Sequence, residues 1–326
     1  MKKIIIKFIL AVVIPGIFLL TIYIIIDPFC VLRSYSPDYY SNTAREHVST
    51  EMFIYNNPKY KFNSFIFGSS RCCFVNSYVW KDLLEKNTSQ TDTISQFVFQ
   101  GWIEDLVGIH QKMQFLERNN VLCNNALILI DVPSSFDTTL NSVKIQKHYL
   151  LSGMPKWKYQ LSFVQRSILK PYATILKVKR SSNLDTITND WRKDNRLSLE
   201  RPPRRTEQDA DRFLVRRPDT EEISKPLITP NFEAIFRDMK RFFDVHHTNY
   251  RLVITPTYYK IRINPADWKL LCDIFGSENI FDYSGNSRWA NDMYNFDDVL
   301  HFDHPVGWDI LHDIYDKKDS INAINE

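Results

Sequence analysis

The sequence predicts an α/β domain, with a mostly parallel sheet covered by helices on both faces, behind one N-terminal transmembrane helix. Three observations carry this expectation. Short continuous apolar runs, such as residues 126–130, read as strands buried on both faces. Between them lie segments with apolar residues at every third or fourth position, the spacing of amphipathic helices. An uncharged stretch from Phe8 to Ile26 opens the chain.

The opening stretch follows Lys2, Lys3 and Lys7 and ends at Asp27-Pro28. About 20 apolar residues span a bilayer as a helix. The run is longer than a secretory signal core, and no small-x-small cleavage pattern follows it. Residues 1–27 therefore read as an uncleaved anchor. The preceding lysines place the N-terminus in the cytoplasm and the rest of the chain outside a bacterial-type cytoplasmic membrane. Residues 28–60, aromatic and polar, read as a juxtamembrane segment.

The domain is expected over residues 61–320. Strands are expected at 62–67, 92–99, 126–130, 251–255 and 280–281. Helices are expected over 72–84, 102–118, 231–245 and 265–275, with a last one from Pro305. In residues 231–245, Phe232, Ile235, Phe236, Met239, Phe242 and Phe243 recur at three and four. Alternation of strands and helices predicts a parallel sheet, whose sites sit at the carboxyl ends of its strands. An insertion at about 145–230 interrupts the pattern. Its later part, 177–226, is crowded with charges of both signs and reads as loosely packed.

Net charge is +3 on 326 residues, with no basic stripe, which argues against nucleic acid as a partner. The five cysteines are odd in number and irregularly spaced, so no disulfide framework is expected. A phosphate-binding enzyme is disfavoured because no glycine-rich loop with a following lysine is present. No cofactor and no metal are expected. A metal group of Asp297, His301 and His304 is the weaker alternative.

Two motifs carry chemistry. Gly68-Ser69-Ser70 ends the first strand, and Asp298-Val299-Leu300-His301 follows the last. A serine needs a base to take its proton and donors to receive an oxyanion. Three residues apart on a turn, Asp298 can hold one imidazole nitrogen of His301 and leave the other for Ser70. The competing reading is that Ser69 and Ser70 cap a helix and that Asp297, Asp298 and Asp303 form a solvated acidic loop. His304 is a second base candidate or a substrate contact.

These motifs resemble those of membrane-anchored members of the SGNH/GDSL hydrolase superfamily. Gly68-Ser69-Ser70 is similar to the Gly-Ser-Ser form of the first block in D-alanine transfer proteins and related envelope acyltransferase-like proteins. Asp298-x-x-His301, with Gly307 behind it, is similar to the last block, and Asp27-Pro28 after the anchor also resembles this subgroup. The resemblance implies a three-layer α/β/α fold with a flavodoxin-like sheet and a Ser70 nucleophile, His301 base and Asp298 orienter. It implies oxyanion donors from Ser70 and Gly101. The third block departs: Asp131-Val132-Pro133-Ser134-Ser135 stands where an asparagine is common, leaving Ser134 as the stand-in donor. Arg71, Tyr258 and His304 are the substrate-contact candidates. The implied activity is that of a serine esterase or O-acyltransferase on acyl groups of envelope glycans, with a membrane acyltransferase as a possible partner. The alternative is a non-catalytic glycan-binding or assembly protein on the same fold.

Overall fold

A computed structural model of the chain describes residues 2–41, 44–87, 93–139, 146–169, 184–191, 199–204 and 217–316. Helix α1 (Lys2–Ile26) contains Ile6–Ile26, whose mean hydropathy of 2.9 makes it long and apolar enough to cross a membrane. The chain leaves α1 without slack. Asp27 is buried, and its carboxylate accepts the N–H groups of Val31 (3.0 Å), Leu32 (3.1 Å) and Arg33 (3.2 Å). Phe29 and Val31 then enter a small core with Ala44, Tyr159 and Phe163.

Helix α2 (Arg45–Tyr60) lies in the stretch expected to be juxtamembrane. It buries Val48, Met52 and Phe53, and the Phe53 ring lies 5.5 Å from Phe97 and 5.4 Å from Phe99. The packed unit thus begins before residue 61. Its apolar face is short and set among polar residues, so the sequence pattern hides it.

The first strands and helices follow: β1 (Ser64–Gly68), α3 (Ser77–Asn87), β2 (Gln96–Gln100), α4 (Leu106–Arg118) and β3 (Asn125–Ile130). All residues of these three strands are buried, as continuous apolar runs require. The helix expected over 72–84 is broken. A 3-10 turn, Ser70–Phe74, precedes α3, because Asn76 Oδ1 accepts the N–H of Tyr78 (2.9 Å) and starts a new helix.

Within the insertion lie α5 (Tyr149–Ser152) and α6 (Lys156–Leu169), followed by β4 (Glu222–Ile223) and α7 (Pro230–His246). Residues 184–191 lie along the edge of β2, where the Val98 N–H donates to the Thr188 carbonyl at 2.8 Å. Thr188, Asn189 and Asp190 are buried there. Of the stretch expected to be loosely packed, residues 184–191 instead pack against the domain. The stretches 170–183, 192–198 and 205–216, which hold much of the charge, lie outside the described residues, as do 317–326.

The last elements are β5 (Asn249–Ile254), β6 (Ile261–Arg262), α8 (Pro265–Phe275), β7 (Ile280–Asp282) and α9 (His304–Tyr315). The main sheet has five strands in the order β2-β1-β3-β5-β7, all parallel. Side chains alternate between its faces. Phe65, Phe67, Phe97 and Phe99 meet α2, α4 and α7 on one side, whereas Ile66, Val98, Leu127 and Leu129 meet α3 and α9 on the other. Strand order reverses between β1 and β3, the place where open parallel sheets hold ligands. Ser70 follows β1 and Asp131 follows β3.

Candidate active site

At the end of β1 the chain must turn in little space. Gly68 has φ +155°, and a Cβ there would lie 2.9 Å from Cys72 Sγ and 3.0 Å from Leu129 Cβ. The two serines that follow then take different roles. Ser69 is buried, accepts the Arg71 N–H at 3.2 Å and donates to Asp131, so it caps the 3-10 turn. Ser70 points the other way, with Oγ 2.7 Å from His301 Nε2.

His301 sits on a loop closed by an antiparallel bridge between Phe296 and Phe302, with the Asp297 N–H on the His301 carbonyl at 2.8 Å. Asp298 organises the loop. Oδ1 accepts the N–H groups of Leu300 (2.7 Å) and His301 (2.9 Å), while both carboxylate oxygens lie 2.9 Å from His301 Nδ1. Burial works to raise the Asp298 pKa, but the bonds from His301 and the backbone outweigh it and hold the carboxyl below its ordinary value. An ionised carboxylate only accepts, so Nδ1 carries the ring proton and Nε2 accepts from Ser70. The Phe74 ring stacks on the imidazole at 5.3 Å. Gly307 lets α9 close on this turn, since a Cβ there would meet the Phe74 carbonyl oxygen at 1.9 Å.

Arg71, expected as a substrate contact, lines a cavity with Ser70 and is at the same time a buried brace. Nε donates to the Leu300 carbonyl at 2.8 Å, and Nη1 to the Pro256 carbonyl at 3.2 Å and to Thr255 Oγ1. The same Nη1 lies 3.3 Å from Asp131, which also accepts from Thr255 Oγ1 at 2.7 Å. The brace joins the ends of β3 and β5 to the residue before His301. It answers the departure at the third block: Asp131 stands there as the partner of Ser69 and Arg71.

Two of the three expected oxyanion donors are engaged elsewhere. The Gly101 N–H donates to the Gly68 carbonyl at 3.1 Å, and the Ser70 N–H to the Trp102 carbonyl at 3.3 Å. Gly101 is needed for room, because a Cβ would lie 1.7 Å from Glu46 Oε1. Ser134 is exposed and lines a cavity with Ser70. Tyr258, another expected contact, is buried against Phe296 (5.5 Å) under the Arg217 guanidinium (5.2 Å) and lines neither of the two cavities at Ser70. His304 lines the site, its ring 5.0 Å from Phe74.

Two cavities meet at Ser70, Trp102 and His301. The larger, about 730 Å³, is lined also by Ile103, Ser134, Phe136 and Leu227. The smaller, about 270 Å³, is lined also by Arg45, Cys73, Gln100, Trp191 and His304. Burial pushes the Cys73 thiol up to about 11, and it donates to Gln100 Oε1 at 3.1 Å as a neutral wall group. Arg45, Gln100 and Trp191 were not legible as site residues, since no local motif marks them. No family model matches this chain, and no curated protein matches it.

A second cluster, His47, Glu51 and His148, has metal-ligating groups within 4.8 Å of one another. Every ring nitrogen already has a protein partner. His47 faces the Cys30 carbonyl and the Tyr159 hydroxyl, both at 3.2 Å. His148 faces Glu51 at 3.0 Å and the Leu150 N–H at 3.3 Å. The cluster reads as a lock between α2, α5 and α6, with two neutral imidazoles.

Proposed function

We propose that this protein is a membrane-anchored serine esterase or O-acyltransferase that acts outside the cytoplasm on acyl groups of envelope glycans. The observation that carries the reading is the continuous relay from Ser70 Oγ through His301 to Asp298 at the carboxyl edge of a parallel sheet. Ser70 Oγ attacks the acyl carbonyl of an ester and passes its proton to His301 Nε2. The acyl–oxygen bond of the donor breaks, and His301 returns that proton to the departing alcohol. Water or an acceptor hydroxyl then takes the acyl group by the reverse proton path, and Ser70 regains its proton. Two cavities meeting at one serine suit a donor and an acceptor that are both larger than water. The glycan substrate and the outward orientation rest on the resemblance to the anchored SGNH group and on the lysines before α1.

One observation favours the alternative, a binding or assembly protein without catalysis: the N–H groups of Ser70 and Gly101 are both bonded to carbonyls. Fluorophosphonate labelling of the full chain in detergent separates the two readings. The wild type is expected to label, Ser70→Ala not at all, and His301→Ala at a small fraction of the wild-type rate. A folded wild type that does not label, or a Ser70→Ala protein that labels equally, overturns the enzyme reading.

A further inference from the structure

We propose that the smaller cavity is an acyl subsite selective for short acyl groups bearing a carboxylate, which Arg45 receives. The inference rests on the acyl-transfer reading of Ser70 and names the substrate class of that same site.

Arg45 is 2% exposed and lines the smaller cavity together with Ser70. Nη2 donates to Asn189 Oδ1 at 2.6 Å and to the Asn189 carbonyl at 3.3 Å, and the guanidinium lies 5.7 Å from the centre of the Trp191 ring. Nη1 is buried and makes no hydrogen bond. Among the described residues, no carboxylate comes within ion-pair distance of this guanidinium, whereas the brace residue Arg71 has Asp131.

A guanidinium keeps its charge in proteins, and a buried charge is costly unless paired. Asn189 and Trp191 offer Arg45 a dipole and a ring face, but no counter-charge. The adjacent Glu46 does not supply one. Its Oε2 is turned to Lys112 at 3.4 Å, and burial, with Glu104 beside it, holds its carboxyl above the ordinary carboxylate range. The missing partner is then an anion from outside the chain, and a carboxylate matches the planar fork of donors.

The rest of the cavity narrows the choice. Gln100 is occupied by Cys73 and by the Asn189 carbonyl at 3.2 Å, so it adds shape rather than a second anion contact. Asp297 and Asp298 line the same cavity on the His301 loop and repel an anion there. A substrate with its ester at Ser70 and its carboxylate at Arg45 avoids them. The cavity of about 270 Å³ admits a short chain between the two.

The test is calorimetric binding to the full chain in detergent, with Ser70→Ala to prevent turnover. Monomethyl succinate and the neutral dimethyl succinate are the probes. The monoester is expected to bind at least about 30-fold more tightly, the scale of one buried charge pair. Arg45→Gln on the same background, checked for folding by thermal melting, is expected to bring the two within about threefold, losing nearly all of that difference. Equal affinities in the folded Ser70→Ala protein, or a preference that persists in folded Arg45→Gln, overturn the proposal. If Arg45→Gln does not fold, the ester pair on the Ser70→Ala protein still decides. Labelling of wild type without ester selectivity sinks this inference alone. Selectivity without labelling sinks the acyl-transfer reading and leaves an anion pocket.

Discussion

On one side of Ser70, residues 296–302 fold back on themselves, and Asp298 and His301 meet through bonds inside that single loop. On the other side, Arg45 is held by Asn189, a residue from the middle of the insertion, which also donates to Ser49 Oγ at 3.0 Å and to the Val98 carbonyl at 2.5 Å. One wall is built locally and braced by Arg71. The other depends on a distant segment staying docked against the edge of β2. The Asp298–His301 pair thus sits on a wall bonded mainly within one loop, while the wall that carries Arg45 is assembled from long-range contacts.

The most forceful way to break the local wall leaves its shape intact. Asp298→Asn keeps the loop but removes the charge that fixes the His301 tautomer. Turnover of 4-nitrophenyl acetate is expected to fall on the order of 10³–10⁴-fold with little change in melting temperature. Turnover within tenfold of wild type would show that the two groups do not work as a relay.

The distant wall is tested through its anchor. Asn189→Ala strips partners from buried Arg45 and from the Val98 carbonyl, at a cost of about 3 kcal/mol in urea unfolding. Fluorophosphonate labelling of Ser70 should persist in this variant, because no bond of the relay passes through Asn189. Loss of labelling in the folded variant would mean that the two walls are coupled.

The smallest expected effect is a pH dependence carried by the helix of the distant wall. His47, on the same helix as Arg45, is held down to about 3, chiefly by burial and then by the neighbouring His148. With a folded pKa below the ordinary 6.5, the unfolded chain takes up the proton first, so stability is full above about 6.5 and is lost as pH falls toward 3. Between pH 7 and 5.5 the loss is roughly 1 kcal/mol from this residue. Glu46, raised to about 7, acts oppositely, because the folded state binds its proton first and gains as pH falls. Wild type should therefore lose melting temperature relative to His47→Gln on acidification. Parallel curves for the two proteins would remove His47 from the lock.

The local wall was legible in the sequence for the reason that makes it robust. Asp298 and His301 lie three residues apart, and Ser70 follows an apolar strand, so spacing alone brings them to one sheet edge. The strands were legible too, since β1, β2 and β3 each carry a continuous apolar run, Phe65–Phe67, Phe97–Phe99 and Ala126–Ile130. Arg45 and Asn189 could not be paired in this way, because nothing in either one's neighbours refers to the other. The helix that carries Arg45 was hidden in a polar stretch with a short buried face. Gly101 shows a subtler failure. Its position after β2 was foreseen, but the direction of its N–H depends on the partner carbonyl of Gly68, which sequence spacing does not encode.

The way the chain leaves α1 bears on reach. Asp27 gathers the next backbone N–H groups, and Phe29 is already in the core, so no flexible tether separates helix from domain. With α1 as an anchor, the serine would ride at a set height above the lipid surface, like a tool on a fixed mount. Anything that meets the serine would have to be presented at that height.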